Sequence, residues 1–287
     1  MKLLLDFLNI IVNAIVEGIT EWLPISSTGH MMLLQHFWKF RSEEIFTREF
    51  LEVFNVVVQF GAILAVVTLY RKKLNPLSNK LKDTQKKRIW NIWLKVIIGC
   101  MPAGIVGVLL DDWFEEHLYN VPVVATMLIL YGIGFIVLEL FNHGKDEFRI
   151  EKMKELDYGT VILIGLFQIL AIIPGTSRSG VTILGAMILG CSRSIAAEFT
   201  FYMAIPIMAG ASGLKILKYL KEVAEGSASI NAPQVLAMGI GMVVAYVVSL
   251  YAISYLMKFI KKKSFTGFGI YRIVLGILVL VLLTVFK

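Results

Sequence analysis

Cysteine and charged residues are both scarce in this sequence. Two cysteines, Cys100 and Cys191, occur in 287 residues, and they lie in or beside apolar segments without the spacing of metal ligands. Neither a disulfide framework nor a zinc site is therefore indicated. Charged residues make up 17% of the chain and hydrophobic residues 57%, with a mean hydropathy of +0.75. This composition excludes an ordinary soluble globular protein and indicates an integral membrane protein.

The excess of positive charge is small, with a formal net charge of +7. The basic residues collect in short runs between apolar segments, where contact with anionic lipid explains them, so no nucleic-acid partner is predicted. At the N-terminus, Asp6, Asn9 and Asn13 interrupt the apolar run and no small-x-small cleavage pattern precedes Glu17. We therefore expect this segment to remain in the mature protein rather than to act as a signal peptide.

Apolar runs long enough to cross a bilayer, about 20 residues, predict an all-α membrane protein with six transmembrane helices. They lie near residues 50–70, 90–110, 121–141, 195–217, 234–258 and 265–286. Two further regions, roughly 3–41 and 157–191, each contain two shorter apolar stretches around a proline. These regions are predicted to be re-entrant helical hairpins, whose irregular backbone is tolerated at membrane depth where protein or a water-filled cavity surrounds it.

Basic loops predict how the spans are oriented. Residues 71–88, 145–154 and 261–263 are rich in Lys and Arg, whereas the connection at 111–116 is acidic. Because basic loops favour the cytoplasmic side, both termini are expected outside, with the first hairpin entering from the outer face and the second from the cytoplasm. We therefore expect a multi-pass membrane protein whose first hairpin opens to the outer face.

The two halves of the chain follow the same plan, a hairpin and then three spans. We interpret residues 1–287 as one membrane domain made of two repeats, about 1–143 and 144–287. A repeat with an odd number of spans lies inverted relative to its copy, so this is an inverted-topology repeat whose hairpin tips meet near the midplane.

The tip of the first hairpin places acids, hydroxyls and an imidazole inside apolar sequence. Pro24 predicts that one helix ends near Leu23 and another begins after Ser26. Glu17 and Glu21 share one helix face, where they provide a general base or acid. The other candidate residues in this motif are Ser26, Ser27, Thr28 and His30.

Each of these residues also has a purely structural interpretation, which for Glu17 and Glu21 is that their carboxylates extend to the outer membrane interface. The hydroxyls can serve as helix caps or bind phosphate at the positive end of the new helix, and one of them, Ser27, becomes a nucleophile if a carboxylate lies nearby. His30 either donates a proton to a leaving phosphate, binds it, or has a structural role.

The second hairpin repeats the design with an arginine, in the run from Pro174 to Thr182. A guanidinium deep in an apolar domain needs an anionic partner, so Arg178 predicts a site for phosphate, for Glu17 or Glu21, or for both. Ser177, Ser179 and Thr182 are expected to cap the helix or bind phosphate. Acid, hydroxyl and guanidinium together favour hydrolysis of a phosphate ester or anhydride.

These two motifs, with the segments Gln59–Val67 and Glu198–Phe201, resemble the bacitracin-resistance family of undecaprenyl-pyrophosphate phosphatases over nearly the whole chain. The resemblance implies hydrolysis of undecaprenyl pyrophosphate to undecaprenyl phosphate and phosphate at the outer face of the plasma membrane. This reaction recycles the lipid carrier of peptidoglycan synthesis and confers bacitracin resistance. The functional positions that it implies are Glu17, Glu21, Ser26, Ser27, Thr28, His30, Ser177, Arg178, Ser179 and Thr182.

The same resemblance implies stimulation by a divalent cation, Mg²⁺ or Ca²⁺, and no organic cofactor. The sequence offers no autonomous metal cage, so such a cation is expected to bridge Glu17, Glu21 and the pyrophosphate. The nucleophile stays open between Ser27, His30 and an activated water, and a homodimer is a further alternative. Inverted repeats are also typical of transporters, so a transporter or flippase of an anionic lipid phosphate is the competing interpretation.

Overall fold

The computed structural model describes residues 1–144, 147–226 and 229–285, and within these ranges the chain forms ten α-helices. Their bounds are α1 Lys2–Thr20, α2 Ser27–Phe37, α3 Arg48–Leu74, α4 Asp83–Leu118, α5 Val121–Phe141, α6 Tyr158–Ile169, α7 Arg178–Ile188, α8 Arg193–Ala224, α9 Ala232–Phe259 and α10 Thr266–Val285. An isolated parallel pairing of Ile150 with Cys191 is the one β contact among the described residues. The predicted all-α fold is confirmed.

Seven helices of the described chain, one more than the six predicted spans, are long and apolar enough to cross a membrane. The additional one is α1, whose 19 residues exceed the short half-helix expected in the first hairpin. Its polar residues Asp6, Asn9 and Asn13 are buried on one face and leave the remaining surface apolar, which explains the length of the run. In the second hairpin, α6 and α7 are shorter apolar helices, as expected.

The predicted acidic connection at 111–116 is wrong as a loop, because α4 continues as a helix to Leu118. The sequence supplies no proline or glycine there, and α4 and α5 are separated by Tyr119 and Asn120 alone. The side chains of Asp111, Asp112 and Glu115 lie outside the description, as does Lys145 of the predicted basic loop 145–154.

Both hairpins break where the prolines predict. The α1–α2 turn (residues 21–26) ends at Ser26, and α2 begins directly after it, so the predicted helix start is confirmed. The α6–α7 turn (residues 170–177) begins with a short 3₁₀ segment and ends at Ser177. Ser26 and Ser177 both have φ of 69°, and they are the two non-glycine residues of the described chain with positive φ. Such backbone conformations are retained where the surrounding structure enforces them, often at functional sites.

Helices of the two halves pack against one another in corresponding pairs. The packing of α1 on α9 corresponds to that of α6 on α4, and the contact of α2 with α10 corresponds to that of α7 with α5. In addition, α5 packs along α10. The two helices α5 and α10 approach closely at Gly132, where an added Cβ would lie 2.7 Å from the carbonyl oxygen of Gly269. This packing buries residues 21–26 of the α1–α2 turn together with Gly175 and Thr176 of the α6–α7 turn.

Candidate active site

The start of α7 contacts the α1–α2 turn through a serine hydroxyl. The Ser179 hydroxyl of α7 donates to the carbonyl oxygens of Glu21 at 3.0 Å and Leu23 at 3.3 Å. Ser179 is buried, so these hydrogen bonds are shielded from solvent. They fix the end of α1 against the start of α7, and thereby place Glu21 beside Arg178.

The central contact of the site joins an acid, a hydroxyl and a guanidinium. Glu21 Oε2 accepts a hydrogen bond from Ser27 Oγ at 3.2 Å, while Glu21 Oε1 lies 3.0 Å from Arg178 Nη2. The Glu21 and Arg178 side chains are only 10% and 12% exposed. A carboxylate that accepts a hydrogen bond from a hydroxyl is placed to take up the hydroxyl proton.

The guanidinium of Arg178 is held on several sides but keeps one donor free. Its Nη1 donates to the carbonyl oxygen of Thr200 at 3.2 Å, and its Cζ lies 5.7 Å from the ring centroid of Trp22. Its Nε is buried without a hydrogen-bond partner. Because a buried donor without a partner is unfavourable, this N–H is suited to an anionic ligand.

Glu17 lies one helical turn before Glu21, whose backbone N–H donates to the Glu17 carbonyl oxygen at 3.0 Å. The Glu17 side chain is buried near Gln59 of α3, and its Oε1 has no hydrogen-bond partner. The expected shared face of the two acids is thus present, and only Glu21 contacts both Ser27 and Arg178.

The N-termini of α2 and α7 differ in how they are capped. Ser177 Oγ accepts from the Gly180 N–H at 3.1 Å and so caps α7. Ser26 makes no side-chain cap on α2, although its hydroxyl is fully buried and without a partner. The first N–H groups of α2, beside Ser27 and the half-buried Thr28, therefore have no side-chain cap and are the more available of the two sets to an anion.

The hydroxyls of the second motif are engaged with protein atoms. Ser177 and Ser179 make the contacts already described and lie 3.2 Å apart through their Oγ atoms. Thr182 Oγ1 donates to the Arg178 carbonyl oxygen at 2.7 Å and accepts from Thr200 Oγ1 at 3.0 Å. In this arrangement these three side chains support Arg178, and their expected contact with phosphate stays a prediction.

His30 is engaged with the backbone of Ser26 and with Tyr271 of α10. Its Nδ1 is 2.7 Å from the Ser26 carbonyl oxygen, so Nδ1 carries the proton and donates it. Its Nε2 is 2.6 Å from the Tyr271 hydroxyl of α10, and the two rings are stacked. His30 therefore supports the backbone of Ser26 and is held by Tyr271.

Sequence reasoning missed several residues that hold this site. Thr200 and Trp22 contact Arg178, Tyr271 contacts His30, and Arg272 contacts both turns. The available signal was Arg272 itself, a charged residue in the middle of an apolar span, which is a functional candidate by default.

The carboxylates fit a shared cation but not a cage made by the protein alone. No group of three His, Cys, Asp or Glu side chains that could hold a metal occurs within the described ranges. Glu17 offers an unpartnered Oε1 and Glu21 lies one turn away. One or two carboxylates together with substrate phosphates are a common way to bind Mg²⁺.

Comparison with known proteins matches this chain over nearly its full length. The family model described as Bacitracin resistance protein BacA matches residues 10–278. A protein of Streptococcus thermophilus named undecaprenyl-diphosphatase is 48% identical over 277 residues, covering 96% of this chain and 93% of that protein. Proteins of the same name from Desulfitobacterium hafniense and Lactiplantibacillus plantarum are each 49% identical over 278 residues, with 96% and 98% of their own lengths covered. The chain belongs to the bacitracin resistance protein BacA family.

Proposed function

We propose that this protein hydrolyses undecaprenyl pyrophosphate to undecaprenyl phosphate and inorganic phosphate. The observation that carries the proposal is the Glu21 carboxylate, which contacts Ser27 Oγ at 3.2 Å and Arg178 Nη2 at 3.0 Å. This places a nucleophile, its base and a phosphate-binding cation within one buried cluster. The activity named for relatives that are 48–49% identical to this chain supports the same reaction.

The geometry supports attack by Ser27. Ser27 Oγ attacks the terminal phosphorus as its proton passes to Glu21, and the bond from that phosphorus to the bridging oxygen breaks. Undecaprenyl phosphate leaves with the bridging oxygen, and water then cleaves the phosphoserine to release phosphate and restore the hydroxyl. The free Nε–H of Arg178 and the N–H groups at the start of α2 stabilise the charge on the phosphoryl oxygens.

A divalent cation is part of this proposal as a partner of the substrate. Glu17 and Glu21 would hold Mg²⁺ or Ca²⁺ together with the pyrophosphate, and the ion would neutralise phosphate charge. Glu17 is the more available ligand because its Oε1 has no partner, whereas both oxygens of Glu21 are engaged.

Phosphate release from undecaprenyl pyrophosphate by the purified protein in detergent tests the function. We expect release that rises with Mg²⁺ or Ca²⁺, and release that is strongly reduced in a matched Glu21→Gln sample. Equal release from both samples would indicate a contaminating phosphatase. No release with or without the cations would overturn the proposal and favour a transporter or flippase, which the corresponding packing of the two halves also accommodates.

We further propose that the site opens to the outer face of the bacterial plasma membrane, so that the reaction recycles the lipid carrier and confers bacitracin resistance. In this arrangement α1–α2 and α6–α7 are re-entrant hairpins in an inverted repeat, entering from opposite faces with six spans around them. The contact of Ser179 with the Glu21 and Leu23 carbonyl oxygens supports a common depth for the two turns. The basic segments at 71–88 and 261–263 support a cytoplasmic location for those loops.

Cysteine labelling of intact cells tests this orientation. In a background with Cys100 and Cys191 replaced by alanine, Lys80→Cys should resist a membrane-impermeant maleimide because the basic loop is inside. Glu43→Cys, at an exposed position between α2 and α3, should react from outside as the matched control. Labelling of Lys80→Cys from outside would reverse the orientation and the outward-facing site.

A further inference from the structure

Arg272 is a fully buried arginine in α10 without an ion-pair partner. No carboxylate in the described part of the chain lies within ion-pairing distance of its guanidinium, in contrast to Arg178 and Arg193, which pair with Glu21 and Glu139. A buried charge is costly unless other polar groups compensate it. Its burial at this position therefore requires a specific set of hydrogen-bond acceptors.

The acceptors are main-chain carbonyl oxygens from three separate segments. Arg272 Nη1 donates to Pro24 of the α1–α2 turn at 3.2 Å. Its Nη2 donates to Gly175 at 3.0 Å and Thr176 at 2.9 Å, both in the α6–α7 turn. Longer contacts of 3.4 Å reach α5, from Nε to the Leu128 oxygen and from Nη2 to the Met127 oxygen. One guanidinium thus joins both turns and a neighbouring span.

These carbonyl groups need a donor because of how the hairpins are built. Pro24, Gly175 and Thr176 lie in the turns between helices, so their carbonyl groups belong to no helical hydrogen-bond ladder, and water is scarce within a membrane protein. Arginine presents five N–H groups in a rigid planar arrangement, whereas lysine has three donors on a single nitrogen. Only the guanidinium can reach carbonyl oxygens on several sides at once.

The contacted residues lie directly before the groups that carry the chemistry. Pro24 precedes Ser27 by three positions, and Gly175 and Thr176 precede Arg178 by three and two. The fit around Gly175 is tight, since it has φ of 89° and a Cβ there would lie 2.5 Å from the Val124 carbonyl oxygen of α5. A change in the distance between the turns would therefore separate Ser27 and Glu21 from Arg178.

The geometry points to Arg272 as a positioning residue that sets the separation of the two turns and so assembles the Ser27–Glu21–Arg178 cluster. It contacts none of those three side chains itself. The adjacent Tyr271 contacts His30 from the same helix, so α10 supports the α1–α2 turn at two neighbouring points. The expected effect of Arg272 on the rate rests on the proposed function, whereas its expected effect on the structure does not.

A double-mutant cycle tests the effect on the rate. In the parent protein we expect Arg178→Lys to lower the single-turnover rate of phosphate release by about 10² to 10³. Arg272→Lys alone should lower the rate by about 10², the effect of misplacing reacting groups by roughly 1 Å. In the Arg272→Lys background, Arg178→Lys should lower the rate by a factor at least tenfold smaller than in the parent, because the guanidinium of Arg178 is already displaced from the site.

The control for this cycle is Arg193→Lys, which alters another partly buried arginine away from both turns. Combined with Arg178→Lys it should give additive effects. Additive effects for Arg272→Lys as well, or a parental rate for that variant, would overturn the proposal. If Arg272→Lys does not yield monodisperse protein, Arg272→Gln replaces it in the cycle.

A distance measurement that needs no activity separates this proposal from the proposed function. Spin labels at Phe37→Cys and Ile188→Cys, exposed positions in the last turns of α2 and α7, report the separation of the hairpins in a background with Cys100 and Cys191 replaced. We expect a narrow distance distribution in the parent and in Arg193→Lys, and a shifted or broadened one in Arg272→Lys. An unchanged distribution in Arg272→Lys would overturn the positioning role, even if the parent released no phosphate.

Discussion

Arg178→Lys should lower the single-turnover rate of undecaprenyl pyrophosphate hydrolysis by about 10² to 10³, the usual effect of losing one stabilising donor in an active site. Lysine keeps the positive charge but loses the planar set of donors. In the structure these donors contact Glu21 Oε1 and the Thr200 carbonyl oxygen, while Nε remains free for the substrate. A single ammonium group cannot hold Glu21 and a phosphoryl oxygen in the same geometry.

The matched control is Arg193→Lys, because Arg193 also forms an ion pair with a buried glutamate, Glu139, but contacts neither turn. Both substitutions alter an arginine–glutamate pair, so thermal unfolding in detergent shows how much each one destabilises the fold. We expect the rate to fall only in Arg178→Lys. Equal rates for the two variants, measured on folded protein, would mean that charge alone is needed at position 178.

The helical architecture could be predicted from the sequence because each span is a local apolar run. The prediction for α5, residues 121–141, agrees with the observed bounds, and the start of α2 after Ser26 follows from Pro24 and the serine cluster. The extension of α4 to Leu118 could not be predicted from charge. Acidic residues mark where a segment leaves the apolar region, but they do not end a helix.

The composition of the site could also be predicted, because acids, hydroxyls and arginine within apolar segments are conspicuous. Which of these side chains contact one another could not be predicted. Glu17 and Glu21 are equivalent by spacing, and the path of the α1–α2 turn decides that Glu21 contacts both Ser27 and Arg178. The same holds for Ser26 and Ser177, which look alike in sequence although only Ser177 caps its helix.

The residues that hold the site from a distance are the ones sequence reasoning could not assign. Arg272 and Pro24 are 248 positions apart, and Tyr271 and His30 are 241 apart. The sequence of α10 does not indicate which carbonyl groups a buried guanidinium will contact. The partners follow from the packing of α10 on α5 and α2, which is a tertiary property.

Ser27→Ala should abolish turnover more completely than Arg178→Lys while leaving substrate binding nearly intact. The substitution removes the hydroxyl that donates to Glu21 Oε2, but it leaves the ion pair of Glu21 with Arg178 and the N–H groups of α2 in place. Substrate binding depends on those remaining groups, whereas formation of a phosphoserine depends on the hydroxyl. The measurements are single-turnover hydrolysis, lipid binding, and acid-quench trapping of a phosphoenzyme.

The control for this prediction is Ser212→Ala, which removes a buried serine hydroxyl from α8 that donates to the Val56 carbonyl oxygen. It should keep the parental rate and any trapped phosphoenzyme, whereas Ser27→Ala should lose both.

If Ser27→Ala instead retains a large share of the rate, Ser27 is not the nucleophile. A water molecule would then attack phosphorus with Glu21 or His30 as its base, and Glu21→Gln and a substitution of His30 would separate those two. Because His30 donates through Nδ1 to Ser26 and meets Tyr271 through Nε2, Glu21 is the base that this geometry favours in either case.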